Sequence, residues 1–192
     1  MMKDISKISL ALVAAAAVAV FSSTSSAQSA KSMSVGIAGG AAIPVGDFAD
    51  FYTTGYNGTV FLGFRSVGSP IGIRIDGMYN KMSVKDDASI TLPGLGVVEA
   101  ATISSANANL VYSLPGTGIS PYLIGGGGIY GLKLDVDGAN DPDMETKFGV
   151  NGGIGASFPL SGFNTFIEAR LHHIFSDNGS TQFIPVTFGI SF

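Results

Sequence analysis

Apolar and polar residues alternate with a period of two through most of this chain, up to its last residue. In Phe183-Ile-Pro-Val-Thr-Phe-Gly-Ile-Ser-Phe192, the residues Ile184, Val186, Phe188, Ile190 and Phe192 share one face of an extended strand. Pro185, Thr187, Gly189 and Ser191 share the other. Successive side chains of a strand point to opposite sides, so the pattern belongs to strands with two unlike faces. The same reading predicts roughly eight strands of about ten residues, near 33–43, 56–65, 70–82, 100–114, 121–132, 146–158, 163–176 and 182–192. The second strand groups Tyr56, Val60, Leu62 and Phe64, and the third Ile71, Ile73, Ile75 and Tyr79, against Asn57, Thr59, Arg65, Arg74, Asp76 and Asn80. The fourth sets Ala108, Leu110 and Tyr112 against Asn107 and Asn109, and the sixth sets Phe148, Val150, Ile154 and Phe158 against Lys147, Asn151 and Ser157. The seventh sets Ile167, Ala169, Leu171 and Phe175 against Glu168, Arg170 and His172.

Composition decides what such strands build. Charged residues make up 12% of the chain and hydrophobic residues 46%, whereas a water-soluble domain of this size carries about a quarter charged residues. Only helices and closed barrels satisfy every backbone polar group in lipid, and beyond its first residues the sequence contains no apolar run of helical-span length. A closed membrane barrel is therefore the expected fold. Lys3 and Lys7 precede an apolar run from Ile8 to Phe21, and Ser25-Ser-Ala27 supplies small residues before Gln28. This arrangement predicts a secretory signal over residues 1–27 and a barrel domain over 28–192. The chain has no cysteine, which excludes disulfides, zinc-thiolate sites, thiol nucleophiles and an amino-terminal lipid anchor.

A soluble barrel with an apolar lumen would show the same alternation. The polar faces here hold too few Lys and Glu for a solvated exterior, and their Gly, Ala, Ser and Asn suit a narrow interior. The same-face pairs Tyr56 with Phe64, Tyr122 with Tyr130, and Phe148 with Phe158 have the spacing of two outward aromatic girdles about 25 Å apart. Ser66–Pro70, Pro115–Gly118 and Pro159–Gly162 are short uncharged turns, which suit a periplasmic side. The alternate connections, near 44–55, 83–99, 133–145 and 177–181, contain Asp47, Asp50, Asp86, Asp87, Glu99, Asp135, Asp137, Asp141, Asp143, Glu145 and Asp177. Eleven of the thirteen acids beyond the signal segment thus gather on one rim, the expected extracellular side, and this argues against nucleic acid as a partner.

The signal segment, eight alternating strands, short-turn and long-loop asymmetry and terminal Phe192 together resemble the small outer-membrane β-barrel family of OmpX, the OmpA membrane domain and the neisserial opacity proteins. The stretch from Gly36 to Phe48, leading into the first loop, also resembles such barrels. The resemblance covers the whole mature chain and rests on pattern rather than on a catalytic motif. It implies an all-β, eight-stranded antiparallel up-and-down barrel in the outer membrane of a diderm bacterium, a monomer without cofactor. Its implied surroundings are outer-membrane lipid and lipopolysaccharide, the barrel-assembly machinery, and an extracellular ligand that the residues do not identify. Nothing follows Phe192, so the peptidoglycan-binding domain that OmpA appends is not expected. Phe188, Ile190 and Phe192 are implied to form the assembly signal. Because fold does not select function, structural, adhesive and lipid-modifying roles all occur on it.

Four chemistries stand out. Asp135, Asp137, Asp141 and Asp143 place hard oxygen ligands close together and form a candidate calcium site, although their spacing is not that of an EF-hand and acidic loops are commonly just solvated. The glycine run Gly125 to Gly128 has no phosphate-loop pattern and suits close packing in a strand. His172, His173, Ser176 and Asp177 invite comparison with the lipid A deacylase PagL, but His172 and Ser176 face inward and His173 outward beside Phe175. An esterase is therefore disfavoured and a non-enzymatic structural or surface-interaction role expected, with small-solute passage through a narrow lumen as the rival reading. Finally, Arg74 and Asp76 lie four and six residues beyond Pro70, and Glu168 and Arg170 four and six beyond Asn164. Like offsets on strands facing each other across the lumen predict an interior network pairing Arg74 with Glu168 and Asp76 with Arg170.

Overall fold

The computed structural model describes residues 31–88, 90–92, 96–116, 118–137, 143–176 and 179–192, so the expected signal segment lies outside the described residues. Eight strands carry this chain: β1 (Lys31–Val45), β2 (Gly55–Ser66), β3 (Ile71–Ser83), β4 (Gly96–Ser113), β5 (Ser120–Val136), β6 (Glu145–Leu160), β7 (Phe163–Ser176) and β8 (Gly179–Ser191). Among the described residues helix is confined to α1 (Phe48–Phe51), and Thr91–Leu92 forms a two-residue rung against Gly96 and Val97.

Each strand pairs antiparallel with its sequence neighbour, and β8 pairs back onto β1 from Gly36↔Ser191 to Val45↔Gln182. The sheet therefore closes into an eight-stranded up-and-down barrel without a free edge. Partners followed around the ring from Val35 run through Leu62, Ile75, Ala108, Gly127, Val150, His173 and Gln182 to Val45, ten residues further along β1. Closure with such a stagger requires strands tilted by about 35–45°. At about 3.3 Å per residue, roughly ten tilted residues then cross the 25 Å apolar band.

The two faces are sorted by polarity. Ile73, Leu110, Ile154 and Phe188 point outward and are half or more exposed, while Asn57, Arg74, Asp76, Asn80, Asn107, Glu168 and Arg170 are buried in the lumen. This inverts the arrangement of a water-soluble domain, and lipid makes it favourable because the outward side chains meet hydrocarbon. Short turns join the strands at one end. Ser69 donates its backbone N–H to Ser66 O, with Gly68 at φ +78°, and Gly162 reverses the chain between β6 and β7 at φ +92°. Both conformations lie in the left-handed region that a Cβ disfavours. The longer loops gather at the other end.

Two sequence expectations change. The strands are longer than about ten residues, and β4 at 18 and β5 at 17 are the longest. Glu99 and Asp135, expected in loops, are strand residues in this hairpin, and the register shifts between Val98 and Ala100. Ladder hydrogen bonds can continue beyond the apolar band, where outward polar side chains meet water instead of lipid. The second change concerns the girdles. Tyr122 and Tyr130 point inward and are 7% and 0% exposed, while the outward positions of β5 hold Leu123, Gly125, Gly127 and Ile129. Room for the two rings comes from β6. A Cβ on Gly155 would collide with the Tyr122 ring, and one on Gly149 would stand 2.7 Å from Tyr130 Cε2.

Outward aromatic residues still mark both ends. Tyr56 and Tyr79 (ring centroids 6.2 Å apart) and stacked Phe148 and Phe175 (6.2 Å) lie toward the loops, and Phe163 and Phe192 (6.1 Å) lie at the turn end. Ile73 and Leu110 pair with each other, and each lies only a few residues from a short turn, 67–70 before β3 and 114–119 after β4, so they lie lower in the apolar band than Ile75 or Ile167.

Candidate functional site

The lumen is crossed near its middle by four charged side chains. Arg74 donates from Nε to Asp76 Oδ1 at 2.8 Å and from Nη2 to Glu168 Oε1 at 2.7 Å. Arg170 reaches Asp76 Oδ2 from Nη1 at 2.5 Å and Glu168 Oε1 from Nε at 2.9 Å. Each arginine thus holds both carboxylates and each carboxylate both arginines, a closed ring with no net charge. The like offsets along β3 and β7 place the two pairs at matching heights. Along each strand, residues two apart share a face, which adds the Arg74–Asp76 and Arg170–Glu168 contacts.

Neutral partners complete the ring. Tyr122 donates its hydroxyl to Glu168 Oε2 at 2.8 Å, and Asn109 Nδ2 donates to Asp76 Oδ2 at 2.8 Å. The Arg74 guanidinium lies 4.7 Å from the centroid of the Phe61 ring, which packs edge-on against Phe166. A buried charge is costly unless paired and hydrogen-bonded, and four charges in a neutral cycle meet that condition. Alternation pointed to the charges. It contained no trace of Tyr122, whose phenol looks like a girdle residue until β6 supplies a glycine opposite it.

Above the ring, toward the loops, the lumen becomes apolar. Ala42, Met82, Ala101, Ile103, Tyr130, Ile174 and Phe183 converge from six strands, and Tyr52 joins them from the first loop. Burial pushes the Tyr52 phenol above its ordinary pKa. Its backbone pairs with Val84, and Thr53 N–H donates to Ser83 O at 2.8 Å, so the end of α1 is held over the barrel. Asn57, Thr59 and Asn80 form a small amide and hydroxyl chain, with Asn57 Nδ2 donating to Asn80 Oδ1 at 2.6 Å.

Among the described residues the histidines do not meet a serine. His172 lies inside with Nδ1 2.8 Å from the Tyr130 hydroxyl, its ring stacked on Phe183 at 4.9 Å. His173 faces outward against Phe175, with Nδ1 3.0 Å from Gln182 Nε2. Ser176 is exposed at the strand end, and Asp177 lies outside the described residues.

Three of the four acidic residues considered for calcium lie among the described residues. Asp135 Oδ2 is 2.7 Å from Lys81 Nζ and accepts from Thr102 Oγ1 at 3.4 Å, an outward row across β3, β4 and β5. Asp137 begins the loop beyond β5, Asp143 is exposed, and Asp141 lies outside the described residues. Among the described residues no three potential metal ligands come together. At the turn end Phe188 and Phe192 are exposed on the outer wall and Ile190 is half-buried, while Phe192 exchanges backbone hydrogen bonds with Val35 at 2.8 and 3.0 Å.

Closed eight-strand topology with apolar residues outside and a charged interior defines a membrane barrel. Residues 10–192 match the outer membrane protein beta-barrel domain, and the chain belongs to that family, whose members lie in the outer membrane of diderm bacteria. Among solved structures the chain is similar to Neisserial surface protein A, at 15% identity and a TM-score of 0.63 over 85% of this chain and 98% of that one. It is also similar to a major outer membrane protein from Thermus thermophilus, at 14% identity and a TM-score of 0.57 over 85% of this chain and 99% of that one. At these identities the likeness is one of fold. No protein of curated function matches the chain.

Proposed function

We propose that the protein is a non-enzymatic outer-membrane scaffold whose sealed barrel presents acidic loops outside the cell, with the short turns in the periplasm. The observation that carries this reading is the double closure of the lumen. A hydrogen-bonded ring of Arg74, Asp76, Glu168 and Arg170 lies across the middle, and an apolar cluster that includes Tyr52 lies across the loop end. An ion would lose most of its hydration at the second barrier, where polar groups are few and the Tyr130 hydroxyl and His172 are bonded to each other. The loop rim, with Asp47, Asp50, Asp86 and Asp87 in its first two loops, is the part able to meet an external partner. Calcium at Asp135, Asp137, Asp141 and Asp143 belongs to the same proposal, as a ligand of that rim.

Small-solute passage is the competing reading. Reconstitution of the folded barrel in planar bilayers separates the two. A scaffold gives a silent membrane, and discrete current steps that scale with protein would overturn the proposal.

A further inference from the structure

Below the charged ring the lumen opens at the turn end into a cavity of about 320 Å³. Small inward residues open it between the side chains of Phe61, Val111 and Phe166. Ser34, Ser120, Ser157 and Ser191 line it from four strands, Gly63 and Gly72 leave two further positions without a side chain, and Arg74 and Tyr122 bound it on the ring side. Arg65 also lines it, and no aspartate or glutamate does.

This lining has a definite chemistry. The ion pairs of Arg74 use Nε and Nη2, and Nη1 takes no part in them, so the guanidinium bordering the cavity retains N–H donors beyond those the carboxylates occupy. Hydroxyls on four sides can each donate a hydrogen bond to an oxygen acceptor. Arginine forks match the oxygens of phosphate, and charge-assisted bonds of this kind are the stronger ones. Among the described residues the aspartates and glutamates lie in the ring or toward the loop end, and the cavity lining holds two arginines and no acidic side chain. Its volume lies at the lower end of the range for small-molecule sites.

We propose that this vestibule binds a small phosphate-bearing anion, held by Arg65, Arg74 and the serine hydroxyls beneath the closed ring. The anion enters and leaves by the turn end, so binding does not require passage through the barrel. The site is separate from the loop rim and from any role of the acidic loops.

The test uses the full folded barrel in zwitterionic detergent micelles, titrated with inorganic phosphate against chloride at equal ionic strength, with backbone amide shifts as the readout. Saturable shifts at Ser34, Ser120, Ser157 and Ser191 are expected, with phosphate only. Arg65→Gln should weaken binding about tenfold, the effect of losing one charge-assisted hydrogen bond. Ser157→Leu should fill the vestibule and abolish the shifts, and Ser34→Leu provides the same test from the opposite wall, heat-modified migration confirming that each variant is folded. A parallel titration with short-chain phosphatidic acid distinguishes the source: tighter binding of the lipid assigns a headgroup at the membrane rim, and tighter binding of inorganic phosphate assigns a free solute. Absence of saturable shifts with both probes, or undiminished shifts in a folded, filled variant, would overturn the proposal.

Discussion

Arg74 of β3 and Glu168 of β7 meet across the lumen, Nη2 to Oε1 at 2.7 Å, although 94 residues separate them in the chain. Both side chains are at least nine-tenths buried, so neither charge has bulk water to fall back on. Breaking one partner of such a buried pair typically costs about 3–5 kcal/mol. Glu168→Gln and Arg74→Gln should each destabilise by that order in urea unfolding from lipid vesicles, and the double variant should lose less than the sum. Additive losses would show that the pair contributes nothing beyond its separate neighbours.

Depth along the outer wall makes a graded prediction. Ile75 and Ile167 each occupy the fifth position of their strands, above Ile73. Arginine at Ile75 or Ile167 should cost about 2–4 kcal/mol, with a smaller cost at Ile73 and Leu110, which lie nearer the turn-end interface. Equal costs at all four positions, read from unfolding in vesicles, would contradict the placement of the apolar band.

The pairing of Tyr122 with Gly155 predicts a coupling between an aromatic residue and the absence of a side chain. Gly155→Val leaves no space for the ring and should destabilise by about 1–3 kcal/mol. Adding Tyr122→Ala should relieve most of the clash, leaving the Glu168 hydrogen bond as the residual loss. A Gly155→Val barrel as stable as the parent would mean the ring sits elsewhere.

Tyr130→Phe removes the hydroxyl that meets His172 Nδ1 in a fully buried site. Leaving a buried polar atom unpartnered costs about 1–3 kcal/mol. The His172 imidazole resonances should shift in the variant while the strand amides of β1 and β2 stay in place, and an unchanged imidazole would refute the contact.

Phe192 is proposed to act in assembly. Its ring is exposed on the outer wall beside Phe163, and it adds two backbone hydrogen bonds to β1. Deleting it should leave unfolded chain in the periplasm while the purified protein still refolds in detergent. Parental amounts of heat-modifiable protein in the membrane would argue against an assembly role.

By itself the sequence determined the strand number, the two faces and the split between short turns and acidic loops. Those are local properties: alternation at period two sets which residues of a strand share a face, and low charge without a helical span leaves a closed barrel as the way to satisfy the backbone in lipid. The heights of Arg74, Asp76, Glu168 and Arg170 were legible for the same reason, because each could be counted from a turn. What the tertiary structure decided depends on neighbours far apart in the chain. The closed cycle among the four charges depends on the stagger that closes the barrel, and the inward turn of Tyr122 and Tyr130 depends on glycines that β6 sets opposite them. The turn-end vestibule is likewise made by small residues from several strands meeting at one level, and no single strand records that meeting.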